Sequence, residues 1–263
     1  MPIQTVLAAL RLPASARVDQ PIAKKLLTQQ GAPTAADKRL ITEAIDVLTW
    51  HAALKPATVG LAAFSSDATR PDVIELMVVS LRLRADVKPA QARRLRELIH
   101  RAIAYPVLLV AAQGDSVTVS LAELRYAVGQ SAHTGHQQVL DALHASDTFT
   151  PCRPSAIEHD YLTSLAIDAQ PWPHLGALYQ GWVHRTHALR AARLTGVFRA
   201  PVGAQAALAQ RAALALVSQL NAEVAAVRAL AIQATQLSRQ VALNLRLREL
   251  QEQLQRAALG LVA

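Results

Sequence analysis

Cysteine occurs once, at Cys152, in a chain of 263 residues. A single thiol excludes an intramolecular disulfide and any site built from several thiolates, and it fits a reducing cytoplasm. Aromatic residues make up only 4% of the chain and charged ones 17%, against about a quarter charged in an average soluble domain. No apolar run approaches the roughly 20 residues that a bilayer span requires. The opening MPIQTVLAALRLPASARV has no basic region before its short apolar run, so no signal peptide is expected. There is no Walker loop, no dinucleotide fingerprint and no G-x-S-x-G elbow. Serine, histidine and aspartate are all present, but without that elbow a hydrolase triad has no motif behind it, and no cofactor is predicted.

What is abundant is small and aliphatic. The chain is 52% hydrophobic, mostly alanine and leucine, a composition that favours helix. The shortage of charge predicts that a partner covers part of the surface. A formal net charge of +8 suits contact with nucleic acid or an acidic protein, and equally a mildly basic solvated surface.

The stretch from Ala92 to Leu121 organises the first half. Leu95, Leu98, Ile99, Ala102 and Ile103 recur at three- and four-residue spacing, the stripe of an amphipathic helix. Pro106 forces that helix to stop near Ala104. PVLLVAA then reads as a strand covered on both faces, Gly114-Asp115 as a turn, and VTVSL as a half-buried strand.

Upstream, a short helix is predicted over 4–12, with a turn or two of helix around Ala23–Gln29. Thr34 and Asp37 resemble a helix start. From there DKRLITEAIDVLTWHAAL reads as one helix ended by Pro56. TVGLAAF and DVIELMVVSLRL read as strands, and Gly135–Ala145 as a further helix. The expected fold is α+β: a small mixed sheet of about four strands with packed helices over 1–150, bounded at Cys152–Pro154.

Beyond that boundary the sequence predicts only helix, a connector over 151–200 and a long coiled-coil-like arm over 201–263. Between Ala204 and Leu259 there is neither proline nor glycine. Ala213, Val217, Leu220, Val224 and Val227 alternate at spacings of four and three, as do Leu243, Leu247, Leu250 and Leu254 after a phase shift near Leu237–Leu243. As one helix at about 1.5 Å per residue the arm would reach roughly 85 Å. Leu220, Val224, Val227, Leu243, Leu247, Leu250 and Leu254 are therefore the expected interface, with self-association one possible use.

Three groups invite chemistry. Arg93, Arg94, Arg96 and Arg101, with Arg82, Arg84 and Lys88 just before them, form the best candidate for phosphate contact. Glu97 interrupts that face, and no aromatic interleaves for base stacking, as on a solvated helix. Glu75, with Asp72 nearby, could serve a metal-dependent nuclease of the kind that uses an acidic residue followed by E-x-K. However, Met77 stands two residues on, where that pattern needs lysine. His184 and His187 are spaced like helix-borne metal ligands, yet no carboxylate or thiol is in register. His133, His136 and His144 lack even that.

The blocks PIAKKLL, DKRLITEAIDVLTWHAALKPATVGL, LIHRAIAYPVLLV and LGALYQGWVHRTHALRAARLTG run in order from about Leu12 to Gly196. They resemble a bacterial family known as domain of unknown function 4391. Ala23 and Ala104 stand where that family usually has the prolines of IPKK and IPYP, and Arg125 stands near a usual basic position. The resemblance supplies no catalytic motif. It implies a companion of helicases and DNA methyltransferases in restriction-like phage-defence clusters. The expectation is thus a cytoplasmic, non-enzymatic accessory subunit that binds a helicase, methyltransferase or nuclease through its arm. The alternatives are a nuclease around Glu75 and a DNA-binding module around Arg93.

Overall fold

A computed structural model describes residues 1–65, 69–127 and 138–261. Two compact units divide the chain, Met1–Thr186 and His187–Ala263, so the expected connector over 151–200 is shared between them.

The first unit opens with α1 (Pro2–Ala9), a short strand β1 (Arg17–Pro21), α2 (Lys24–Gln30) and α3 (Ala35–Ala44). Thr34 caps α3, its hydroxyl accepting from the Asp37 N–H at 3.1 Å, as its sequence predicts. The long helix expected from Asp37 to Leu54 ends halfway. Ile45–Leu54 is strand β2, where β-branched and aromatic residues (Ile45, Val47, Thr49, Trp50) satisfy a pleated surface better than a helix. Pro56–Val59 is a single helical turn, α4, closed by Gly60 at φ 71°, a left-handed position that glycine fills without strain. This turn replaces the strand expected at TVGLAAF, where Ala62 and Phe64 make only isolated bridges.

Next come β3 (Leu76–Leu83), α5 (Pro89–Ala102), β4 (Val107–Gln113), β5 (Ser116–Tyr126) and β6 (Gln138–Ala145). Helix α5 and the two strands after it follow the sequence reading closely. The helix expected over 135–145 is corrected: 138–145 is β6, paired along β5 from Ser120↔Ala145 to Tyr126↔Gln138. Its first residues, 135–137, lie outside the described residues. An eight-residue segment with no breaker is ambiguous by pattern, and the open edge of β5 decides it.

Among the described residues the sheet has six strands, not about four, in the order β1-β2-β3-β4-β5-β6. Every neighbouring pair is antiparallel except β3–β4, the pair that the crossover helix α5 connects. One face of the sheet packs Val79, Leu81 and Leu109 against Leu95, Leu98 and Ile99 of α5 and against Leu27 and Ile41. Helices α2 and α5 come close at Gly31, where a Cβ would lie 2.6 Å from that of Ala102.

After β6 come α6 (Ala156–Ser164) and α7 (Leu175–Thr195), the latter running across the division between units. Ser155 and Glu158 form a capping box at the start of α6. Within the first unit, the Tyr179 hydroxyl of α7 accepts from the Ala122 N–H at 2.8 Å and lies 3.0 Å from the carbonyls of Val107 and Ala122. Buried Trp182 donates to the Leu165 carbonyl at 2.9 Å. These polar ties explain why a tyrosine and a tryptophan occupy an otherwise aliphatic stripe.

The second unit is a helical hairpin. The expected single arm breaks at Ala234 and Gln236, whose backbones are extended, into α8 (Gly203–Gln233) and α9 (Leu237–Leu259). The phase shift near Leu237–Leu243 is the place where the chain folds back on itself. The break needs no proline or glycine, because the two heptad stripes bury each other once the chain reverses.

Candidate functional site

Six of the seven residues expected to bind a partner meet one another instead. Leu220, Val224 and Leu250 form one buried cluster, with Val227, Leu247 and Leu254 packed against it, and Leu243 is half-buried. Ala191, Leu214, Val217 and Leu261 form a second cluster. What the hairpin leaves outward is another set. On α9, Leu237, Val241 and Leu245 follow i, i+4, i+8 spacing and are 76%, 52% and 57% exposed. On α8, Leu208, Leu216 and Leu230 are also exposed. They fall within a sector of roughly 80° at about 100° per residue. Helix α8 is also long and apolar enough to cross a membrane by length and composition, with mean hydropathy 1.3 in its richest window. Arg211, Glu223 and Arg228 interrupt it.

The basic helix α5 offers less free charge than its sequence suggests. Arg94 makes a bidentate pair with Asp37, Nε to Oδ1 at 2.9 Å and Nη2 to Oδ2 at 3.0 Å, and reaches Glu97 at 3.2 Å. That guanidinium holds the Asp37 carboxyl, itself buried, below the usual aspartate range. Arg93 pairs with Glu97 at 3.4 Å yet stays 74% exposed. Burial lowers the pKa of Arg96, and Arg101 is exposed. The four arginines therefore divide into a structural tie, a half-buried side chain and two at the surface.

Glu75 is buried immediately before β3 and pairs with Lys55 at 3.2 Å. Among the described residues no group of three His, Cys, Asp or Glu is gathered to hold a metal, His184 and His187 included. His133 and His136 lie outside the described residues. His144 is buried 3.3 Å from Glu123. His100 is fully enclosed against the Ser120 hydroxyl at 3.0 Å, and burial, with Arg96 nearby, lowers its pKa to about 3.

One constellation runs against the expectation of no triad. His51 Nδ1 lies 2.9 Å from Asp19 Oδ1, and His51 Nε2 lies 2.8 Å from the Ser80 hydroxyl. A carboxylate only accepts, so in the neutral imidazole Nδ1 carries the proton and Nε2 faces the serine O–H as acceptor. Three local irregularities bring these residues together. The β2–β3 register passes from Trp50↔Val79 to Ala52↔Val78, leaving His51 as the extra residue of a bulge. The β1–β2 register is broken between Arg17 and Gln20, and between them Asp19 adopts φ 49°. Bulges re-aim a side chain out of the regular alternation.

Ser80 and His51 line a cavity of about 540 Å³, together with Gln4, Val47, Thr49 and Arg82. Ser80 is only 5% exposed, and Asp19 is half exposed. Residues 19, 51 and 80 carry no spacing signature, since only the lateral order of β1, β2 and β3 makes them neighbours.

One family matches the chain, Domain of unknown function (DUF4391), over residues 10–254. No curated protein and no solved structure matches it.

Proposed function

The chain belongs to the DUF4391 family, and on that footing we propose that it is an accessory subunit that assembles with a larger protein through its C-terminal hairpin. The observation that carries this reading is the exposed row Leu237, Val241 and Leu245. An apolar row on a helix whose other side is already packed is a surface that soluble chains cover. Six arginines against three glutamates between 203 and 259 give the hairpin a net positive charge. It therefore suits a partner groove that is apolar at its floor and acidic at its rim, the helix-in-groove mode of recognition. The resemblance to phage-defence companions points to a helicase, methyltransferase or nuclease as that partner, and to assembly in the cytoplasm. The nuclease and DNA-binding alternatives draw little support from Glu75, paired with Lys55, or from Arg94, paired with Asp37.

Co-expression with a candidate helicase, methyltransferase and nuclease, each in turn, tests the assembly. The expected result is a stable complex by size-exclusion chromatography with light scattering. Val241→Glu with Leu245→Glu should abolish it while leaving thermal unfolding unchanged. A chain that elutes alone beside all three, or that floats with phosphatidylglycerol-containing vesicles, overturns the reading.

A further inference from the structure

We propose that Asp19, His51 and Ser80 form a nucleophilic serine site that opens on the cavity beneath α1 and acts on small acyl esters or thioesters. This goes beyond the accessory role and does not depend on it.

The geometry carries the inference. A serine hydroxyl is a weak nucleophile unless a base within hydrogen-bond reach takes its proton, and a base is most effective when a third group fixes its orientation. Here both distances, 2.8 Å and 2.9 Å, lie in that range. The arrangement also has a structural cost. A left-handed aspartate and two disturbed registers turn these side chains out of the regular alternation. His100 also meets a serine hydroxyl, at 3.0 Å, but it is sealed in the core at 2% exposure. The Ser80 pair borders open space.

The cavity defines the substrate class. At about 540 Å³, with Val47 and Ile3 on its walls, it suits a short acyl chain. Thr49, directly across the ladder from Ser80, supplies a hydroxyl to the same space, and Arg82, which also lines it, is paired with Asp46 at 2.6 Å. The Thr49 hydroxyl is suited to a developing oxyanion. The first turn of α1 contributes Ile3 and Gln4 to the lining, with backbone N–H groups that no helical carbonyl can satisfy.

The chemistry balances with water as the only co-reactant. Ser80 Oγ attacks the acyl carbon as its proton passes to His51 Nε2, and the tetrahedral oxyanion faces the Thr49 hydroxyl. Collapse breaks the bond to the leaving alkoxide or thiolate, which takes the proton from His51. Water then attacks the acyl-serine while giving a proton to Nε2. The acid departs, and that proton returns to Ser80 Oγ. Asp19 Oδ1 accepts from His51 Nδ1–H throughout and stabilises the imidazolium.

The test uses the full chain with a fluorophosphonate probe, followed by peptide mass spectrometry, and p-nitrophenyl butyrate hydrolysis. A single adduct on Ser80 is expected, together with hydrolysis that Ser80→Ala abolishes. His51→Gln should slow both labelling and hydrolysis by about 10²–10⁴-fold, as for loss of a general base. Asp19→Asn tolerates the left-handed backbone, and it should lower kcat more than it raises KM. Labelling of the unmodified chain needs no variant to fold. No Ser80 adduct on chain with intact circular dichroism overturns the proposal, as does hydrolysis unchanged in Ser80→Ala. Because both readouts use the chain alone, they are independent of whether the hairpin binds a partner.

Discussion

At the scale of single residues, burial sets what each polar group can do. His100 is the sharpest case, its pKa lowered to about 3 by burial and by Arg96. In the unfolded chain an imidazole titrates near about 6.5. Between these values the unfolded state binds a proton that the folded state refuses, so stability rises with pH there. The contribution is complete above about pH 6.5 and is lost as pH falls towards 3. Urea midpoints at pH 7.5 and pH 5 check this. Wild type should lose more stability over that step than His100→Gln, and equal losses would show that the imidazole titrates freely in the fold. Asp37 acts in the same direction at lower pH, since Arg94 holds its carboxyl below the usual 3.8. None of this could be read from the sequence. The spacing of α5 puts His100 among the polar residues, whereas the structure turns it onto Ser120 of the sheet. The site residues were hidden for a related reason. His51 sits in a segment whose periodicity fits helix as well as strand, so nothing local announced a bulge.

At the scale of elements, two ties decide how the pieces hold. Arg94 binds Asp37 across α3 and α5 with two charge-assisted hydrogen bonds. Arg94→Ala leaves a buried carboxylate with only the Thr34 hydroxyl as side-chain donor and should cost about 1.5–3 kcal/mol by chemical denaturation. Were Arg94 a DNA-contacting residue instead, stability would be unchanged and only affinity would fall. In the hairpin, Leu250 is fully buried between α8 and α9. Burying a leucine side chain is worth roughly 1.5–3 kcal/mol, so Leu250→Asp should open the hairpin. The expected readout is a loss of helical ellipticity with the near-ultraviolet signal of Trp50 and Trp182 retained. Loss of both signals together would mean that the two units unfold as one. The heptad leucines were legible in the sequence as a stripe that must be covered. What covers them, the other half of the same segment, depends on a reversal at Ala234–Gln236 that no breaker residue marks.

At the scale of the whole molecule, a charge of +8 spread over 263 residues is an electrostatic property more than an address. Duplex DNA is expected to bind only weakly and non-specifically, with Kd in the range of about 10⁻⁴–10⁻⁶ M near physiological salt, and with affinity that falls steeply as salt rises. Fluorescence anisotropy with two unrelated duplexes checks this. A marked preference for one of them, lost in Arg93→Glu with Arg101→Glu, would restore the basic helix as a reader of DNA. The α+β class, the crossover helix α5, strands β3 to β5 and the helical second half were all determined by the sequence itself. Their apolar periods and their proline and glycine stops act over a few residues, which is the range that a sequence displays. The tertiary structure alone decided the identity of β2 and β6, the reversal of the hairpin and the meeting of Asp19, His51 and Ser80. Each of these depends on which strand edge or helix face is left open elsewhere in the fold. An ambiguous segment takes the conformation that buries its neighbour's unpaired groups, and that neighbour lies tens of residues away.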